Sequence, residues 1–267
     1  MTDEPFSLTD KTAVVTGAGR GLGQHVARGL AERGARVAVV ARTAAQVEQT
    51  VDQIRASGGQ AIGAAMDASD IDSVARLARQ VETAFGPATI LINAAGIFGP
   101  FEPIAGGDAH RWIETIRVNA IGPYLTCRAF LPGMLAAGWG RIVNFSSAAS
   151  LHPPGPLNSA YGTSKVALNQ FTRHLAAELA GTNVTANVIH PGEVQTQMWA
   201  DVRDGSQSAG DAGEGHRQWA ATVAATGGDD PQKALDLILD LIADADPNRT
   251  GKFLWIAGGM QTPIASW

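Results

Sequence analysis

"TAVVTGAGRGLGQHVARGLAERG", residues 12–34, runs from a β-branched stretch through a glycine-rich turn into residues of helical period. Thr12 to Thr16 read as a strand, and the helix that follows is closed by Gly34. The turn between them is Thr16-Gly17-x-x-x-Gly21-x-Gly23, with Arg20 and Leu22 among its members. Bare glycines let backbone N–H groups approach a pyrophosphate, and the helix N-terminus adds its partial positive charge. The spacing is not G-x-G-x-x-G, because Gln24 stands where a motif begun at Gly19 needs its last glycine. The position of the turn, between a first strand and a first helix, predicts a nucleotide-binding βα unit. The alternative is a tight turn that holds no ligand.

Working outward, short β-branched runs alternate with longer helical stretches, the pattern of a doubly wound parallel sheet. Seven strands are expected: "TAVVT", "RVAVVA", "AIGAAM", "TILINA", "RIVNFS", "VTANVIH" and "KFLWIAG". Helices are expected near residues 21–33, 43–57, 70–85, 108–137, 159–181 and 230–244, with Gly122-Pro123 a kink in the fourth. No composition break divides the chain, so residues 1–267 read as a single Rossmann-type domain of class α/β. Residues 201–219, rich in Gly, Ser and acid, read as irregular. They lie within an expected substrate lid at about 197–228, beyond a strand's carboxyl end, where open α/β sheets bind ligands.

Composition narrows the function classes. The apolar fraction of 45% and the charged fraction of 17% belong to a folded, soluble chain. A net charge of −5 offers no basic stripe for nucleic acid. The single cysteine, Cys127, cannot close an internal disulfide and has no Cys or His neighbours for a metal site. The chain opens "MTDEPFSLTD", with no basic-then-apolar leader, and no apolar run reaches a membrane span. The expectation is a cytoplasmic protein with neither a membrane nor a nucleic acid as partner.

The second strand ends Ala41-Arg42, where a dinucleotide site that prefers NAD would carry an acid for the ribose 2′-hydroxyl. A guanidinium there suits a 2′-phosphate, and Arg20 can add a second charge. The expected cofactor is NADP(H). Further on, "SAYGTSKVAL", residues 159–168, places Tyr161 four residues before Lys165, on one face of a helix.

Four features now stand in order: the Thr16–Gly23 turn, "NAAG" after the fourth strand, "NFSSAAS" after the fifth, and the Tyr161–Lys165 pair. Together they resemble the short-chain dehydrogenase/reductase family over essentially the whole chain. The resemblance implies a catalytic tetrad of Asn119, Ser147, Tyr161 and Lys165. It also implies cofactor contacts from Asp67 near the adenine, from Asn93 and Gly96 of "NAAG", and from Pro191, Gly192, Val194 and Thr196 of "HPGEVQT". Two departures stand out. Ala94 replaces the family's second asparagine, and Ser147 lies 14 residues before Tyr161, one further than the common spacing, which leaves Ser146 as its alternative.

Ketone reduction by hydride needs a proton donor for the developing alkoxide and groups that hold it. A tyrosine of ordinary pKa, ~10, is a reluctant donor, and a neighbouring ammonium is expected to lower that value. Tyr161 is thus the expected general acid, Lys165 its modulator and a ribose ligand, and Ser147 the residue that orients the substrate oxygen. By resemblance, Asn119 holds a proton-relaying water. The expected substrate pocket comprises Phe98, Ser147, His152, Met198 and Trp199, a largely apolar set that suits a lipophilic or cyclic ketone. The alternatives are a 3-oxoacyl-(acyl-carrier-protein) reductase, an NAD-linked alcohol dehydrogenase, and a non-catalytic nucleotide-binding sensor. The resemblance also implies a homotetramer or homodimer packed through the fourth and fifth helices.

Overall fold

Alternation along the strands builds two apolar layers. In β1 (Thr12–Thr16), Ala13 and Val15 face one layer while Val14 faces the other. β4 (Ile90–Asn93) repeats the pattern, with Ile90 and Ile92 on one side and Leu91 on the other. This period of two buries both faces of the sheet, which explains why the strands read as continuous apolar runs.

The computed structural model describes residues 6–152 and 154–261, so the expected domain limits at 1 and 267 lie outside the described residues. The other strands are β2 (Arg36–Ala41), β3 (Gln60–Ala65), β5 (Gly140–Phe145), β6 (Val184–His190), β7 (Phe253–Trp255) and β8 (Gly259–Gln261). They form one sheet in the order β3-β2-β1-β4-β5-β6-β7-β8. The first seven run parallel, and β8 pairs antiparallel to β7. "KFLWIAG" thus supplies one three-residue strand and the turn into an eighth strand that the sequence reading did not separate.

Helices cover both faces. α1 (Gly21–Glu32), α2 (Ala44–Ala56) and α9 (Pro231–Ala243) pack on one, through Leu30, Ile54 and Ile238. α3 (Ile71–Phe85), α5 (Gly122–Ala136) and α6 (Ser159–Glu178) pack on the other, through Leu77, Phe130 and Leu175. Each such buried side chain contributes about 1.5–3 kcal/mol against its exposed state. Among the described residues, no helix is long and apolar enough to cross a membrane.

Two segments differ from expectation. The single helix expected over 108–137 is α4 (Ala109–Ile116), a π-helical turn (Arg117–Ile121) and α5. The π turn precedes Gly122-Pro123, and Pro123 sits in the first turn of α5. The segment 201–219 is largely helical, in α7 (Gln197–Gln207), a 3₁₀ turn (Gly210–Gly213) and α8 (Glu214–Thr226). Tertiary contacts override its poor propensity. Arg217 Nη1 donates to the Ser206 and Gly210 carbonyls at 2.8 and 2.9 Å, tying the two helices across the turn.

Candidate active site

β1 pairs with β2 on one side and β4 on the other, so the strand order reverses at the carboxyl ends of β1 and β4. Open sheets bind ligands at such a switch point. Gly17, at φ +68°, leaves β1 so close to the β4 loop that a Cβ would lie 2.7 Å from the Ala95 nitrogen. A Cβ on Gly23 would strike the Gly17 carbonyl. The Ala95 N–H donates to Thr16 Oγ1 at 3.2 Å, fixing the two loops together. Gly21, at φ +59°, faces Thr196, whose Cγ2 would be 3.7 Å from a Cβ there. Leu22 packs against the core beneath the turn. This bare cradle at the N-terminus of α1 suits a pyrophosphate.

Arg20 and Arg42 are exposed beside the cradle. Asp67 follows β3. Burial would raise its pKa, but hydrogen bonds from Ser69 and the charges of Arg117 and Arg42 outweigh that and hold it below the ordinary value. Its Oδ1 accepts from Ser69 N–H and Oγ, and its Oδ2 accepts from Arg117 Nη2 at 3.0 Å. The carboxylate expected to meet adenine is therefore already engaged, by an arginine that opens the π turn and that no motif marks.

The chemical cluster assembles at the ends of β5 and α6. Tyr161 and Lys165 share the inward face of α6 and both are buried. Lys165 Nζ donates to the Phe145 carbonyl at 2.8 Å and lies 5.6 Å from the Tyr161 ring centroid. Burial pushes Lys165 down to about 8. Burial also raises the Tyr161 phenol, which a hydrogen bond with Ser147 partly offsets. The expected lowering of Tyr161 by Lys165 is thus reversed here, since desolvation dominates and the ammonium is directed at a main-chain carbonyl. Ser146 is buried with its Oγ 3.5 Å from Ser150 Oγ, and the serine bonded to the Tyr161 phenol is Ser147.

Asn119 occupies the π turn, fully buried. Its amide donates to the Ile97 carbonyl at 2.8 Å and Ser164 Oγ at 3.0 Å, and its Oδ1 accepts from Ile97 N–H at 2.9 Å. The side chain thus holds the β4 loop against α6. Asn93, expected at the cofactor, is spent in the interior. Its Oδ1 accepts from Thr126 at 2.8 Å, and its Nδ2 donates to Asn144 Oδ1 at 2.9 Å. Asn144 in turn donates to Thr172 Oγ1 at 2.8 Å, completing a buried chain that joins α5, β4, β5 and α6. Sequence reading missed Asn144 because a strand asparagine carries no local signal.

Gly96 faces the cluster, since a Cβ there would lie 3.6 Å from Lys165 Nζ and 3.9 Å from Met198 Cε. Phe98 stacks on Tyr161 at 4.9 Å between ring centroids. Phe101 and His216, which sequence reading missed, extend that stack. Trp199 lies under Arg203 at 5.0 Å, with its buried indole Nε1 lacking a hydrogen-bond partner among the described residues. Pro191 and Val194 flank Gly192, which at φ +90° passes close to Asp229. His152, expected in the pocket, is exposed and meets Trp255 instead, at 6.1 Å. The His190 imidazole, pushed down to about 4 by burial, stays neutral against Trp255.

A doubly wound parallel sheet with a glycine cradle at its switch point and a Ser–Tyr–Lys cluster beside it defines a nicotinamide-dependent oxidoreductase fold. The family model for short chain dehydrogenase matches residues 11–207, and the chain belongs to that family. It is 40% identical over 197 residues to a short chain dehydrogenase of Pseudocercospora fijiensis (strain CIRAD86), a match covering 72% of this chain but only 62% of that relative's length. Among solved structures, the actinorhodin polyketide ketoreductase, as a variant with NADPH, superposes with a TM-score of 0.83 at 29% identity, over 93% of this chain and 96% of that one. An NAD+-bound xylitol dehydrogenase superposes at 0.85 and 27% identity, over 96% and 100%.

Proposed function

We propose that this protein is an NADP(H)-dependent carbonyl reductase acting on a lipophilic or cyclic ketone. The observation that carries the reading is the convergence of Ser147, Tyr161 and Lys165, from two separate elements, on one buried spot beside Gly96. Gly17, Arg20, Gly21, Leu22 and Gly23 would hold the pyrophosphate, and Gly96, Tyr161 and Lys165 the nicotinamide ribose. Pro191, Gly192, Val194 and Thr196 would line the nicotinamide, with Asp67 at the adenine end. The bound cofactor supplies the hydride.

The chain's own residues supply the proton. With its pKa raised, Tyr161 keeps its phenolic proton at neutral pH, and Oη can release it to a substrate oxygen as that oxygen gains charge. Ser147 Oγ, held by the Ala149 N–H at 3.2 Å, orients the same oxygen. Lys165, at about 8, is mostly protonated at neutral pH and can restore the phenol's proton. Because the Asn119 side chain is fully engaged, a relay water there would use its main-chain carbonyl.

Preference for NADP(H) is supported by Arg42 and Arg20 at the mouth and by the lack of an acid at the end of β2. Assembly as a homodimer or homotetramer is supported by Tyr124 on α5 and Val166 on α6, which are 47% and 51% exposed. The two helices adjoin, since Tyr124 meets Phe171 edge-on at 5.9 Å. A reducing, cytoplasmic setting suits Cys127, whose buried thiol is pushed up to about 12.

The test is the initial rate of NADPH and NADH oxidation against ketones, diketones and 3-oxoacyl thioesters, with Tyr161→Phe alongside. Ketone reduction that prefers NADPH and disappears in the variant is expected. Undiminished turnover by Tyr161→Phe, or a preference for oxidising alcohols with NAD, overturns the reading.

A further inference from the structure

The ring of Phe98 lies 26° from parallel with that of Tyr161, at 4.9 Å. Phe101 continues the stack, 5.8 Å from Phe98 and 28° from parallel. His216, from α8, closes the far end, edge-on to Phe101 at 4.7 Å and to Phe98 at 6.1 Å. The other lid helix also bears on this wall, since a Cβ on Gly205 of α7 would sit 3.4 Å from Phe101 Cβ. Phe98, Phe101 and His216 are each half-buried, so part of every ring remains open. Among the described residues the His216 imidazole makes no hydrogen bond, and burial lowers its pKa, so at neutral pH it presents a neutral ring with one N–H and one lone pair.

We propose that Phe98, Phe101 and His216 form an aromatic wall, beginning at the proton donor, that selects ketones borne on a flat aromatic or conjugated ring, with His216 as the specificity-determining residue at its outer end. The inference rests on the carbonyl-reductase reading and deepens it. A flat ring whose carbonyl meets Tyr161 Oη lies alongside the stack, offering its face to the open edges of Phe98 and Phe101. Aromatic pairs gain beyond simple area burial by the equivalent of about 2- to 12-fold per contact. A saturated ring of equal carbon count buries similar area without that gain. An apolar wall alone would not distinguish the two; stacked rings do. His216 is the member placed to sense a polar substituent on the distal edge, since it is the only one carrying ring nitrogens.

The experiment compares kcat/KM for phenyl methyl ketone and cyclohexyl methyl ketone with NADPH, in wild type, Phe101→Leu and His216→Leu. NADPH affinity reports an intact fold in each variant. In parallel, calorimetry measures binding of 1-phenylethanol and 1-cyclohexylethanol to the enzyme–NADP+ complex. The expected result is an aryl preference of about 10-fold in wild type that falls to about 3-fold or less in either variant. Equal efficiency on the two ketones overturns the inference while the carbonyl-reductase reading stands. A preference that persists undiminished in both variants also overturns it. If neither ketone is reduced, the reading itself is in question and calorimetry decides the wall separately. Tighter binding of the aryl alcohol, lost in the variants, supports it, and no aryl preference in binding, or no binding, overturns it.

Discussion

Lys165 Nζ donates to the main-chain carbonyl of Phe145 at 2.8 Å, a bond from α6 to the last residue of β5. It places an ammonium in a buried spot that the fold would fill more cheaply with an apolar side chain. Because burial lowers its pKa to about 8, the charged form is penalised in the folded state. The penalty is fully present below about 8 and is relieved as pH rises toward the unfolded value of 10.5. A shift of that size is worth roughly 3 kcal/mol, offset by the carbonyl bond.

Lys165→Met should therefore abolish turnover while leaving stability at neutral pH within about 1 kcal/mol of wild type. Wild type should then gain on the variant between pH 8 and pH 10.5. Urea unfolding across that range is the check, and a stability difference that does not move with pH removes the argument.

The same group sets a limb of the reaction's pH profile. Reduction needs Tyr161 protonated, and its raised pKa secures that through neutral pH. It also needs Lys165 charged, so kcat/KM for ketone reduction should be level at neutral pH and fall above about 8. A profile that stays flat to about pH 10 would falsify the assignment of Lys165 as the titrating group.

Much of this architecture was legible in the sequence because its signals are local. β-branched runs marked the seven parallel strands, and the glycines that must pass close to a backbone marked the cradle. The four-residue spacing of Tyr161 and Lys165 put them on one face of α6. What was hidden depends on partners distant in the chain. Asp67 and Asn93 also bond Arg117 and Asn144, partners that no local pattern announces. Helices α7 and α8 carry Gly, Ser and Asp, whose propensities oppose them, and are held by Arg217 reaching back to the Ser206 carbonyl. Phe101 and His216 gain meaning only once α8 is packed beside Phe98.

The buried chain Thr126–Asn93–Asn144–Thr172 is a stability element rather than a catalytic one. Asn144→Ala removes the oxygen acceptor of Asn93 Nδ2, leaving it only the weak Cys127 Sγ at 3.7 Å, and opens a small cavity between β4 and β5. An unsatisfied buried polar group costs about 1–3 kcal/mol, so a total loss of about 2–4 kcal/mol is expected. Denaturant titration measures it, and a loss below about 0.5 kcal/mol would show that the chain carries no weight.

At the nucleotide end, Arg42 is exposed and near enough to Asp67 to lower its pKa. A charge-assisted bond to a 2′-phosphate is worth about 1.5–3 kcal/mol. Arg42→Ala should therefore weaken NADPH binding about 10- to 100-fold and leave NADH binding nearly unchanged. Fluorescence titration with both nucleotides distinguishes a 2′-phosphate contact from general charge, because a loss shared equally by both points to the latter.

The exposed apolar face of α5 and α6 gives the last prediction. Tyr124 and Val166 are about half exposed, and Ile121 adds a third large apolar side chain at 45%. Singly, such residues are ordinary, but a proposed assembly packed through α5 and α6 would bring them into or near its seam. In a two-fold contact each substitution enters twice, so one Val166→Glu change places two like charges in or near the seam. The desolvation and repulsion should convert the proposed assembly to monomers at micromolar concentration, with the monomer's far-ultraviolet spectrum unchanged. Sedimentation velocity reads the outcome. An oligomer that survives Val166→Glu and Tyr124→Glu alike would move the interface to another face of the molecule.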